Sequence, residues 1–194
     1  MLSSGSTPGY DIDMHMYKKI NPANICELAV KIESLSLGLY TFGAKHSEDP
    51  EVAKLCGDLA LRESEHNAFF QTLLKKTRQE GFSDFFDWLI KGASTDDFIM
   101  QLGEGMESRV INQMGLRLDP ALLAAMTPKE LLRFAIQLEE TGIEFYSGLE
   151  KQVKAAHKKY IIDLANEERR HLRDLLGLLK RLEMASVRDW VRVD

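Results

Sequence analysis

The sequence predicts an all-α fold, a four-helix bundle of two helical hairpins with a long helical crossover between the second and third main helices. Three observations lead there. Apolar residues recur at three- and four-residue spacing, and no stretch shows the alternation of a strand. A capping residue followed by Pro occurs four times, at Asn21-Pro22, Asp49-Pro50, Asp119-Pro120 and Thr127-Pro128. Proline at a first helical position presets φ and removes an amide that would lack a partner. A length of 194 residues, 44% hydrophobic and 28% charged, suits one domain with a sizeable core.

The first main helix opens at Pro22, and Ile25, Leu28, Ala29, Ile32, Ser36, Leu39 and Tyr40 form its inward stripe up to about Lys45. The second runs from Pro50 to about Glu80, with Val52, Leu55, Cys56, Leu59, Ala60, Phe70 and Leu73 inward and Gly81 suited to its C-terminal cap. These two form an antiparallel hairpin.

Residues 82–126 read as the crossover. A short aromatic helix (Phe85, Phe86, Trp88, Leu89) stops at Gly92, and a helix capped by Thr95 repeats Phe98, Leu102, Met106, Val110 and Met114 every four residues. Thr127 and Glu130 have capping-box spacing, so the third main helix follows from Pro128 to about Ala155. The fourth occupies roughly Lys158 to Met184. The chain thus divides into a flexible N-terminal segment (1–20), the bundle (21–184) and a C-terminal tail (185–194). In the tail, Val187, Trp190 and Val191 can pack on the bundle or on another subunit.

Composition narrows the function. A formal charge of -5 and a pI near 5.6 give no broad basic surface for nucleic acid. Two cysteines, Cys26 and Cys56, are too few for a disulfide scaffold or a four-cysteine metal centre. The chain shows neither a secretory signal nor a run of 18 apolar residues. The expectation is a cytoplasmic protein with neither a membrane nor a nucleic-acid partner.

The chemistry lies in an internal repeat. Ala29-Val30-Lys31-Ile32-Glu33 with Tyr40 matches Ala135-Ile136-Gln137-Leu138-Glu139 with Tyr146 at an offset of 106. Leu59-Ala60 with Glu63-Ser64-Glu65-His66 matches Leu164-Ala165 with Glu168-Arg169-Arg170-His171 at an offset of 105. Each half is therefore a helix with one inward Glu, then a helix with Glu-x-x-His. One Glu-x-x-His alone says little; the shared register of all six residues is specific. Residues at i and i+3 project from one side of a helix, so each pair can offer a carboxylate and an imidazole to one metal ion. Four carboxylates carry -4, which two divalent cations cancel; buried together without them, they would need heavily raised pKa values. Oxygen-rich donors with two imidazoles suit Fe or Mn.

At these residues the chain, over roughly Asn21 to Met184, resembles the ferritin-like superfamily, and within it the rubrerythrin-related di-iron proteins. The resemblance implies two Fe ions held by Glu33, Glu63, His66, Glu139, Glu168 and His171, with Glu63 and Glu168 bridging. It also implies that Tyr40 and Tyr146 donate hydrogen bonds that orient the ligands. Two departures stand out. The rubrerythrins' extra Glu, three residues after the lone Glu of the third helix, is Gly142 here, and no rubredoxin centre is present.

The resemblance implies an oxidoreductase active in oxidative stress or iron handling, whose diferrous site reduces peroxide or oxygen as a peroxidase or ferroxidase. An external electron donor and a homodimer are further expectations. A manganese-catalase-like enzyme and a non-enzymatic iron storage or delivery protein remain as alternatives. Glu65, Glu140, Glu144 and Glu167 read as surface charges. Glu27 reads as solvent-facing or a rim residue, Cys56 as an apolar filler, and His15, His46 and His157 as exposed.

Overall fold

A computed structural model describes residues 22–79, 119–152 and 155–191. The described residues form five helices, α1 (Pro22–His46), α2 (Pro50–Gln79), α3 (Pro120–Ala125), α4 (Pro128–Gln152) and α5 (Ala155–Val191), with no strand among them. The main helices α1, α2, α4 and α5 start at or near the residues that proline and periodicity indicate. The flexible segment, most of the crossover and its two helices lie outside the described residues.

Capping explains the starts. Asp49 Oδ1 accepts from the amides of Glu51 (2.9 Å) and Val52 (3.1 Å) at the head of α2. Asp119 Oδ1 accepts from Ala121 N at 2.8 Å at the head of α3. For α4 the capping box closes: Thr127 N donates to Glu130 Oε2 (2.8 Å) and Glu130 N to Thr127 Oγ1 (3.3 Å). Each device satisfies amides that the helix itself leaves unpaired. The last helix differs from expectation at its end, because α5 continues to Val191 through the segment set apart as a tail. Ala185 to Val191 contain neither Gly nor Pro, so nothing local stops the helix there.

The helices α1 and α2 pack as one hairpin and α4 and α5 as the other, with α1 against α4 and α2 against α5. Burying the predicted stripes creates two apolar layers. One contains Ile25, Ala29, Ile32, Phe70, Phe145, Tyr146 and Ile161. The other contains Leu39, Tyr40, Val52, Cys56, Leu132, Leu138 and Leu175. In this second layer α1 comes so close to α2 that a Cβ on Gly43 would lie 2.6 Å from Cys56 Sγ. Among the described residues no helix is long and apolar enough to cross a membrane.

Candidate metal centre

Register within the helices places the six repeat residues in the bundle interior. Glu33 comes from α1, Glu63 and His66 from α2, Glu139 from α4, and Glu168 and His171 from α5. All are buried, at 1 to 6% exposure, where six ionisable groups without partners would be costly. The imidazole rings lie 6.2 Å apart and nearly parallel, at 25°.

The donors fall into two overlapping groups. Glu33, Glu63, His66 and Glu168 form one and Glu63, Glu139, Glu168 and His171 the other, with donor atoms in each within 4.8 Å of one another. Glu63 and Glu168 belong to both. His66 Nδ1 lies 3.2 Å from Glu168 Oε1, 3.5 Å from Glu33 Oε2 and 3.7 Å from Glu63 Oε2. His171 Nδ1 lies 3.0 Å from Glu63 Oε1, 3.2 Å from Glu168 Oε2 and 3.7 Å from Glu139 Oε2.

These short separations do not make hydrogen bonds. Glu63 Oε1, Glu168 Oε1 and both histidine Nδ1 atoms are buried without a hydrogen-bond partner. Buried polar atoms are normally satisfied, and here the orphaned atoms are those a cation would engage. Carboxylate oxygen and imidazole nitrogen are the donors that Fe or Mn accept, so the residues fit a pair of such ions.

Electrostatics point the same way. Burial pushes Glu33 up to about 8, with the carboxylates of Glu63 and Glu168 adding to it against the opposing pull of His66. Burial likewise drives Glu139 well above the carboxylate range, with Glu168 and Glu63 contributing. For Glu63 and Glu168 burial works in the same direction, but the two imidazoles outweigh it and hold both groups below their ordinary value. Burial would lower the histidines, yet the surrounding carboxylates win, raising His66 far above its ordinary value and His171 to about 12. Without metal, the four carboxylates are thus compensated by protons.

Both tyrosines reach the carboxylates of the opposite hairpin. Tyr40 Oη donates to Glu139 Oε1 and Tyr146 Oη to Glu33 Oε1. Burial, followed by the adjacent Glu139 for Tyr40 and Glu33 for Tyr146, raises both phenols well above their ordinary range, so they stay protonated as donors. Gly142 places the backbone of α4 beside Glu168, whose Cγ would sit 3.6 Å from an added Cβ.

Other sequence readings come out unevenly. Glu65, Glu140, Glu144 and His46 are exposed; His46 stacks on Phe42 at 4.5 Å. Glu27 is half-buried and pairs with Arg78 at 2.5 Å. His15 and the His157 side chain lie outside the described residues. Cys56 is buried in the apolar layer, and burial pushes its thiol up to about 12, consistent with a filler.

Glu167 corrects the surface reading: it is half-buried, with Oε2 3.4 Å from His66 Nε2. One helical step from Glu168 turns it toward α2 rather than toward water. Asn67 was also missed. Its amide donates to Ser34 Oγ (2.7 Å) and Val30 O (3.3 Å), tying α2 to α1 beside His66.

Residues 130–190 match the family model of rubrerythrin, a span that contains Glu139, Glu168 and His171. No curated protein and no solved structure matches the chain.

Proposed function

We propose that this chain, whose residues 130–190 match the rubrerythrin family model and whose described residues form a helical bundle, is a di-iron carboxylate oxidoreductase that reduces peroxide or oxygen. The observation carrying this reading is the pair of four-donor groups sharing Glu63 and Glu168, with four buried donor atoms unpaired. Glu33, Glu63, His66 and Glu168 would hold one ion and Glu63, Glu139, Glu168 and His171 the other.

A diferrous pair supplies two electrons, one from each iron, which with two protons reduces hydrogen peroxide to two waters. The chain supplies the setting. Glu63 and Glu168 belong to both donor groups, so they would hold both ions. Tyr40 and Tyr146 donate hydrogen bonds to Glu139 Oε1 and Glu33 Oε1 respectively, fixing the orientation of those two carboxylates. The apolar layers exclude bulk water and restrict access to small molecules. Burial of every donor supports catalysis on a small oxidant over iron delivery, which would need an open acidic path.

Electrons for a second turnover come from a separate donor, because two buried cysteines cannot build a four-cysteine iron centre. The test is anaerobic loading with Fe(II), metal analysis, and stopped-flow mixing with peroxide or oxygen. Two irons per chain and rapid oxidation by either oxidant are expected. Faster reaction with peroxide identifies a peroxidase, and faster reaction with oxygen a ferroxidase. A loaded chain inert to both overturns the reading.

A further inference from the structure

We propose that divalent metal ions enter and leave the centre through a groove between α2 and α5 on the His171 side, and that Phe69 and Tyr160 stopper the equivalent opening on the His66 side. This rests on the two-metal reading of the cluster. On the His66 side the seam between the two helices is filled by rings. Phe69 stands one turn after His66 and meets Tyr160 of α5 at the surface, with ring centroids 4.6 Å apart. Phe69 packs edge-on against Phe70 at 5.1 Å, Phe70 stacks on Tyr146 at 5.9 Å, and Tyr146 donates to Glu33. Four rings thus fill the way from solvent to the donor cluster. Their faces and edges offer no lone pair to replace the water that an entering ion must shed.

The internal repeat shows the same seam without the rings. At the offset of 105, Phe69 corresponds to Asp174, Phe70 to Leu175 and Tyr160 to Leu55; at 106, Tyr146 corresponds to Tyr40. One ring of the four survives. Leu55 and Asp174 line a groove of about 450 Å³, together with the buried Leu178. Asp174 stands one turn after His171, as Phe69 does after His66. Glu51 and Arg181 also line the groove and pair across it at 3.3 Å. Its walls carry acids and bases in equal number, so a hydrated cation meets polar groups and no net positive charge.

Gly177 gives this groove its width. A Cβ at that position would meet only the far end of Arg181, with Nη1 at 3.8 Å, so packing does not demand a glycine. Glycine also weakens a helix interior, and the repeat position 105 residues earlier is Thr72. The missing side chain leaves the space between α2 and α5 unfilled on the side where the rings are absent.

The experiment follows Co(II) uptake by the metal-free full chain in stopped flow, its release to excess chelator, and its affinity by calorimetry. Gly177→Leu fills the groove and slows uptake and release alike by about tenfold or more, because a barrier raised on a path slows both directions by one factor. Affinity therefore stays within about threefold of wild type. Gly177→Ala is too short to fill the groove and keeps the wild-type rates. Adding Phe69→Ala and Tyr160→Ala to Gly177→Leu opens the other side and returns both rates toward the wild-type values, with the far-UV circular dichroism unchanged. Wild-type rates in Gly177→Leu, a slowing that appears as lost affinity, a Gly177→Ala variant as slow as Gly177→Leu, or a triple variant no faster than Gly177→Leu overturns the inference and leaves the two-metal reading in place. A wild-type chain that does not take two ions overturns that reading, and this inference with it.

Discussion

Tyr40 and Glu139 stand 99 residues apart in the chain, yet the phenol donates directly to the carboxylate across the bundle interior. Tyr146 and Glu33 make the reciprocal contact. Each hairpin thereby orients a carboxylate belonging to the other. Tyr40→Phe and Tyr146→Phe should each lower stability by about 1–3 kcal/mol, because a buried carboxylate oxygen loses its donor. Urea unfolding of the metal-free variants measures it, and a loss indistinguishable from zero would show that the contact contributes nothing.

Glu63 and Glu168 each belong to both donor groups, whereas Glu33 and Glu139 belong to one apiece. Glu63→Ala and Glu168→Ala should abolish paired-metal binding, while Glu33→Ala and Glu139→Ala should spare one ion. Metal content after desalting distinguishes the two classes. Retention of two ions by Glu63→Ala would refute the bridging assignment.

Metal removal should make stability pH-dependent with a definite sign. Glu33, raised to about 8, together with Glu139, His66 and His171, holds protons more tightly folded than unfolded. The contribution of such groups is complete below their unfolded values and disappears as pH rises through their folded ones. Glu63 and Glu168 are lowered and act in the opposite sense, but only in acid. The melting temperature of the metal-free chain should therefore fall between about pH 6 and about pH 9. Protons compete with metal for the same atoms, so the increment given by Fe(II) or Mn(II) should widen over that range. Calorimetric scans with and without metal supply the comparison.

Gly43→Ala isolates a packing constraint. Alanine normally gains about 1 kcal/mol over glycine in a helix. Here its Cβ would lie 2.6 Å from Cys56 Sγ and 3.2 Å from Leu131 Cδ2, and overpacking of this kind costs about 1–3 kcal/mol. The variant should be net destabilised, and Cys56→Ala in the same chain should recover part of the loss. Thermal melts of the two single variants and the double variant close the cycle.

The four main helices were legible because their signals are local: proline with a capping residue at their starts, and a 3.6-residue stripe along their length. The six donors were legible because the repeat doubles a pattern that is weak once. Glu167 was not, since adjacency to Glu168 suggested an outward direction, whereas the neighbouring helix lies on that side. The end of α5 escaped because a short stretch without a breaker reads equally as tail or helix. Asn67 is set by a backbone carbonyl on α1, a partner that no spacing rule encodes.

Each donor group borrows one carboxylate from across the molecule: Glu168 completes the set around His66, and Glu63 completes the set around His171. A solitary hairpin would own three quarters of a binding site and a phenol aimed at an absent companion. Two identical hairpins docked face to face would have lacked nothing. The architecture is one that half-length polypeptides could assemble by pairing, before any covalent connection joined them.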